Sequence, residues 1–580
     1  MSGSNVWKTG CPAMSFCELF TNQSNIMKKF LLLLFCISTA IVSSAAENGY
    51  CGKDGENLRW ELSDGVLTIS GTGEMRTYMY NVWGSKEITS VVVEEGVTNI
   101  GQRAFYGMDG IVSVSLPASL ESIDLMAFSN CSSLNTVVFA QNPGLSTIGE
   151  QAFRNCDMLF EFDFPENLSS IGRDAFKDCD GLMVLTFPES LHSIGHEAFS
   201  NCDQLALVHF NEGLESIGDY AFNKCPVLEN AILPSTLTHL GERAFWECYA
   251  LTLVKIPSNL KEIPLMAFSD CSMLTEVNME EGLEVIGEQA FRNCVSLPSI
   301  ELPGSLTEIV RNAFENCSTL VSIDIPSFVA SIGDYAFSGC EALENVQLNE
   351  GLQSIGAHAF HRCKVLDGIV LPSTLTTLGE RAFWECSALQ AIEIPGSVEE
   401  IQLMAFAACP SLKDVTVGDG VAVIGEQAFR DCQLLEELEL PSSVVEIGEN
   451  ALDGCAALQR IVSWNTVPPV AIEDFFDGDP ATPVYVPQAS IDDYKVATGW
   501  KYFTNYNAVE DMPTEIEESV NTDAVYVQNR VLYNVGNADL SIFDTAGLCL
   551  YSGNAPVVGL PRAGVYIVTI GNKAVKIAVD

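Results

Sequence analysis

Positive charge is scarce in this chain: 29 Lys and Arg stand against 76 Asp and Glu, a formal net charge of −47 at pH 7. So acidic a surface repels phosphate backbones and anionic lipid, which argues against nucleic acid or acidic membranes as partners. Metal-ligand spacing is missing too. No Cys-x-x-Cys pair occurs among the 20 cysteines, and the six histidines follow no ligand pattern, so no metal site is expected. His192/His196 and His358/His361 straddle turns without companion ligands and read as surface residues. Gly-x-Ser-x-Gly elbows, P-loops and calcium loops are also lacking. The outward acids Glu161, Asp163, Glu437 and Glu439 are scattered, where a glycosidase needs one focused pair in a cleft. With no acid–base or nucleophile constellation, the chain is not expected to be an enzyme or to need a cofactor. An apolar content of 47% rules out an acidic disordered chain.

What the chain has in abundance is a repeat. From Cys131 to Cys455 fifteen cysteines each close the motif Ile/Leu-x-x-x-Ala-Phe/Leu-x-x-Cys, usually with Gly second, as in Ile217-Gly218…Ala221-Phe222…Cys225. A further copy at Ile100-Gly101…Ala104-Phe105 lacks the cysteine. The period is 23 residues, with a two-residue insertion near Asn142-Pro143. A fixed period of this length means one unit stacked many times, a solenoid whose function lies on an extended surface.

One unit reads from Leu205 to Pro226. Leu205-x-x-Val208-x-Phe210 alternates like a strand, Gly213 turns the chain, and Leu214-x-x-Ile217-Gly218 supplies a second short apolar pair. Ala221-Phe222-x-x-Cys225 has the spacing of one helical turn. Pro follows the strand in many units, as at Pro188 and Pro234, where it removes a ladder donor. The cysteines stack one per coil without partner spacing, which predicts a ladder of free, buried thiols. Cys51 and Cys549 lie outside that ladder and are read as unpaired.

Met27-Lys28-Lys29, the apolar run from Phe30 to Phe35 and Ser44-Ala45-Ala46 have the layout of a secretory signal peptide over 27–46, with 1–26 an extension before the true start. No later segment reaches the ~18 apolar residues that span a bilayer. Leu58–Leu62 and Val66–Ser70 alternate on either side of Asp64-Gly65, which predicts a hairpin closing the open end, within a cap over 47–88.

These units resemble the leucine-rich repeats of the Bacteroides surface protein A-like family, whose repeat reads Leu-x-x-Ile-x-Ile-Pro-x-x-Leu-x-x-Ile-Gly-x-x-Ala-Phe-x-x-Cys. The opening Cys51-Gly52…Leu58-x-Trp60…Leu67-Thr68-Ile69-Ser70-Gly71 is similar to that family's start, and the resemblance covers roughly 50–510. It implies a leucine-rich-repeat solenoid of about 16–17 coils over 89–463, each with a strand, a short second strand and a helical turn. Pro468-Pro469, Tyr485-Val486-Pro487 and Gly499-Trp500-Lys501-Tyr502-Phe503 look like the family's end cap, over 464–508. After an acidic linker at 509–520, the short alternating strands of 521–580 read as a small β-sandwich. Asp544-x-x-Gly547, Gly564–Val568 and Lys576–Val579 resemble the sorting domain of type IX secretion. Together the resemblances imply a protein exported to the outer surface of a Gram-negative bacterium, with relatives that adhere to host proteins or other cells.

A longer period underlies the short one, because six units recur as a block of 138 residues: Gly241–Cys248 returns at Gly379–Cys386. Over the strands at 161–278, the twelve outward positions share no residue with their partners 138 later, for example Leu207/Asn345 and Lys255/Glu393. The variable pairs inside Gly-x-x-Ala and Phe-x-x-Cys keep twelve of twenty-four. The strand face has therefore changed faster than the turns, either unconstrained or diversified toward partners. Candidate ligand-binding residues on the concave strand face are His209, Ile232, Leu253, Lys255, Glu276, Glu301 and Gln347. The expected partner is a host extracellular protein, a glycan or another cell surface. A second class, a self-associating surface protein without a specific ligand, rests on large apolar residues on the turn side. Tyr106, Trp246 and Trp384 are followed one unit later by Leu125-Met126, Leu265-Met266 and Leu403-Met404. These sets either mark lateral association between solenoids or fold over one another locally.

Overall fold

The computed structural model describes residues 46–511, apart from 81, 85 and 472–474, and seven strands between 525 and 579. The extension 1–26, the signal segment 27–45, most of the linker and Gly547 lie outside the described residues, as does the Cys549 side chain. The repeat is a β-solenoid of the leucine-rich-repeat kind with about 19 turns of about 23 residues.

Each coil offers three stretches of backbone to its neighbours. The first is a strand of three or four residues, such as Leu207–His209, which pairs in parallel with Val184–Thr186. Its central residue, Val208, points inward and its flanks point out. Pro closes this stretch by accepting the N–H three residues on, as in Leu237 to Pro234. Gly213 then takes φ 114°, and a Cβ there would lie 2.2 Å from the Glu189 carbonyl oxygen, so only glycine fits. The second stretch is a two-residue strand such as Ser216–Ile217, held between Ser193–Ile194 and His239–Leu240. These short strands form ladders of seven and ten, from Asn99 to Leu240 and from Glu262 to Ala471.

The third stretch differs from the sequence expectation. No helix forms over Ala-Phe-x-x-Cys, because the residues before Ala and before Cys, Tyr220 and Lys224 in this unit, take φ 57° and 56°. The backbone runs instead through consecutive turns whose N–H groups alternate. Tyr220, Phe222 and Lys224 donate to Glu242, Ala244 and Trp246 of the next coil, while Ala221 and Asn223 donate to Gly218 and Tyr220 of their own. A helix would satisfy its donors internally and leave the neighbouring coil unpaired, and the alternation satisfies both. Left-handed backbone at non-glycine residues costs about 1 kcal/mol each, which this double set of hydrogen bonds holds in place.

Leu205, Val208, Leu214, Ile217, Ala221, Phe222 and Cys225 are all buried, and most coils repeat them. The Phe side chains make one continuous column. From Phe105 to Phe429 successive rings lie 5.0–5.6 Å apart and within 13° of parallel. All fifteen ladder cysteines are free and buried. Each donates its S–H to the Phe carbonyl of the preceding coil at 3.0–3.5 Å, so the thiol is a hydrogen-bonding group as well as an apolar filler.

Both ends are closed by rungs that the repeat motif does not announce, which is why the turn count exceeds the 16–17 expected. At the start, β1 (Glu47–Gly52), β2 (Gly55–Ser63) and β3 (Val66–Gly71) form an antiparallel meander, and β3 pairs in parallel with Ser90–Val93. The hairpin falls where Asp64-Gly65 indicated, both residues at positive φ. Trp83 stacks on Phe105 and begins the aromatic column. At the far end, Val484–Val486 and Tyr506–Ala508 add two more parallel rungs over the buried Tyr494 and Trp500, whose indole N–H donates to the Pro469 carbonyl. Beyond them, the described strands of the C-terminal segment form antiparallel sheets of three and four strands, an all-β arrangement.

Candidate functional site

The first strands present two columns of outward side chains, one residue per column per coil. Unlike the short-strand ladders, this sheet is broken into six pieces. Three coils fall out of the regular ladder: 161–163, 299–301 and 368–370. Each has a local reason. Phe162 fills the central inward position and crowds Phe164 and Phe176 at 4.9 Å. Pro298 precedes the second strand and removes a donor. Gly368 sits in the third at an outward position, where a Cβ would meet nothing within 4 Å.

Two of these breaks open depressions. The larger, about 570 Å³, lies over Gly368 and is lined from five coils by Asp324, Asn345, Gln347, Val370, Glu393, Asp414 and their neighbours. The smaller, about 230 Å³, lies over Ser299 and is lined by Glu276, Asn278 and Glu301. Of the seven residues expected to bind ligand, Glu276 and Glu301 therefore share one depression and Gln347 lines the other. His209, Ile232, Leu253 and Lys255 line neither, and Lys255 pairs with Glu280 at 3.0 Å. Gly368, Val370, Asp324, Glu393 and Asp414, which line the larger depression, were not among the expected residues. The available signal was a glycine where every other unit from 161 to 439 carries an outward side chain.

The strand face divides along its length. From Ser90 to Lys255 the sixteen outward positions include Val92, Val138, Val184, Leu207, Ile232 and Leu253 but only two acids, Glu161 and Asp163. From Glu276 to Glu439 the sixteen include seven acids, three side-chain amides, no Lys or Arg and no aromatic residue.

Of the three turn-side aromatics from which lateral association was read, Tyr106 is exposed and the two tryptophans are not free. Trp246 and Trp384 are half-buried. Trp246 donates to Asp270 at 3.0 Å and lies under the Lys224 ammonium, while Trp384 stacks on His361 at 4.6 Å and takes Arg381 at 5.9 Å. Leu265, Met266, Leu403 and Met404 are half-buried as well, and Met266 and Met404 receive the Nε–H of Arg243 and Arg381 at 3.1 and 3.2 Å. Local packing accounts for both sets. His358 and His361 are likewise not plain surface residues. His358 stacks on Tyr335 at 4.4 Å, and burial together with neighbouring His358 pushes His361 down to about 4, so it is neutral at physiological pH.

Among the described residues no helix is long and apolar enough to cross a membrane. A family model described as "BspA type Leucine rich repeat region (6 copies)" matches residues 77–206, 169–294, 261–390 and 355–477. None of the curated proteins matches the chain in sequence. Among solved structures, a leucine-rich repeat protein from Bacteroides ovatus is 26% identical, with a TM-score of 0.50 over 70% of this chain and 95% of that one. A leucine rich cell surface protein from Faecalibacterium prausnitzii is 24% identical, covering 74% and 96% at a TM-score of 0.30. The pneumococcal vaccine antigen PcpA is 20% identical, covering 78% and 97% at 0.29.

Proposed function

We propose that this chain, which belongs to the BspA-type leucine-rich repeat family, is a recognition or adhesion module exported to the outer surface of a Gram-negative bacterium. Its ligand is a protein or glycan held on the strand face. The observation that carries the reading is the division of labour within each coil. The variable turn positions keep twelve of twenty-four residues between 138-residue blocks, whereas the outward strand positions keep none of twelve, and those positions are in register within each piece of the strand sheet. Export rests on the signal-like segment 27–46, and outer-surface delivery on the resemblance of 521–580 to a sorting domain.

The experiment is an array of extracellular-matrix proteins and glycans probed with the intact chain. We expect retention of at least one ligand, lost when outward strand residues are replaced and kept when turn residues are replaced. Retention lost only through turn-side variants would overturn the reading. Deleting 521–580 is expected to abolish display on intact cells while leaving the thermal unfolding of the solenoid nearly unchanged; a large loss of solenoid stability would contradict a separable export domain.

A further inference from the structure

We infer that the second half of the strand face, centred on the depression over Gly368, docks a lysine- and arginine-rich segment of a partner protein. The inference rests on the recognition reading above and names the chemistry of its ligand. Charge is the first ground. Asp324, Glu393 and Asp414 are exposed around the depression, and none has an ion-pair partner among the described residues. What sets this stretch apart is that none of the sixteen outward positions from Glu276 to Glu439 carries Lys or Arg. The nearby cations are held at the coil edges by other acids: Lys364 by Glu341 at 2.7 Å, Arg362 by Glu385 at 2.8 Å and Lys413 by Glu436 at 3.3 Å. The cations closest in sequence are therefore engaged elsewhere, and the acids around the depression are left for a cation from outside.

Shape is the second ground. Gly368 leaves an opening in the column, and beside it Val370, 79% exposed, offers an apolar side chain among carboxylates and the amides of Asn345 and Gln347. Lys and Arg combine an apolar stem with a charged head and match such a site part for part. A sugar ring would find no aromatic platform, since none of the sixteen outward positions from Glu276 to Glu439 is aromatic. The depression over Ser299 lies three coils away, roughly 14 Å at the strand spacing. An extended segment of about five residues bridges that distance.

The test measures binding of an oligolysine of about twelve residues to the intact chain at low and high salt. Three variants accompany it. The first is Asp324→Asn/Glu393→Gln/Asp414→Asn. The second, Glu150→Gln/Glu380→Gln/Glu426→Gln, makes the same charge change at exposed or near-exposed turn positions. The third is Gly368→Trp, which fills open space where φ is not positive. We expect saturable, salt-sensitive binding that weakens about tenfold or more in the first variant and less than about twofold in the second. Gly368→Trp should also weaken binding without lowering the thermal midpoint. Equal losses in the two triple variants would mean general attraction to an acidic chain and would overturn the inference, as would no binding at all. A neutral glycan whose capture survives high salt and the first triple variant, yet fails on Gly368→Trp, would also overturn the basic partner. The recognition reading would then remain standing.

Discussion

The two sides of each coil obey different rules. On the turn side the Phe rings stack within a spread of 0.6 Å, fifteen thiols make the same hydrogen bond, and the short strands run on in ladders of seven and ten. On the strand side the sheet is in six pieces and the outward residues differ between blocks. The specification of the stack is therefore concentrated in the turns and the inward residues. The strand side stays attached through its inward residues, such as Leu251, Val254 and Ile256, which leaves its outer columns free to serve a partner. Each prediction below sharpens this division or breaks it.

The largest effect should come from alkali, because it strikes every coil's turn side at once. Burial pushes Cys225, Cys317 and Cys409 up from 9.0 to about 12. Above pH 9 the unfolded chain releases these protons while the folded chain keeps them, so the unfolded state binds fewer protons and stability falls as pH rises. The contribution is whole below about pH 9 and is lost progressively toward pH 12. At pH 10 each such thiol costs about 1.4 kcal/mol, and a ladder of them outweighs any single substitution. A thermal midpoint at pH 10 equal to that at pH 8 would show that the thiols are not buried as described.

Among single changes, Phe291→Ala should cost about 3–5 kcal/mol, since the ring is fully buried between Phe268 and Phe314 at 5.6 and 5.5 Å. Urea unfolding of the intact chain checks it, and a shift no larger than that of Glu301→Ala on the strand face would erase the distinction between the sides. A step below lies Cys317→Ser, at about 1–2 kcal/mol. A hydroxyl has a partner in the Phe291 carbonyl, which accepts the thiol at 3.2 Å, but it fills less volume in a fully buried site. Ser and Ala should therefore cost about the same; if Ser were neutral and Ala costly, the hydrogen bond and not packing would set the identity of the ladder.

Much of this was legible because repetition averages out local accidents. Leu, Ile, Ala, Phe and Cys at fixed offsets identified the inward residues, and Asp64-Gly65 identified the hairpin. Two things were not legible. The helical turn over Ala221–Cys225 was misread because apolar spacing cannot distinguish a helix from turns with residues such as Tyr220 at positive φ, a conformation unusual for a bulky side chain. The depression was not legible because variation identifies a face and not a spot on it. The depression depends on what is missing at Gly368 and on how five successive coils line up around the gap.

The smallest effect is the most discriminating, since it compares two residues joined by one peptide bond. Ile369 points inward at 8% exposure and Val370 outward at 79%. Ile369→Ser places a hydroxyl in the core and opens a cavity, which should cost about 2–5 kcal/mol. Val370→Ser removes a side chain that water already surrounds and should stay within about 0.5 kcal/mol. The strand alternation that separates them is not held by a full ladder here, because coil 368–370 joins its neighbour through the single bridge from Gly368 to Ala391. If the alternation persists without that support, thermal midpoints will separate the two variants widely, while Val370→Ser alone changes what the depression retains. If both variants lose stability alike, the strand has rotated and the outer column is part of the core. Its divergence from Ile232 would then reflect repacking, not freedom to meet a partner.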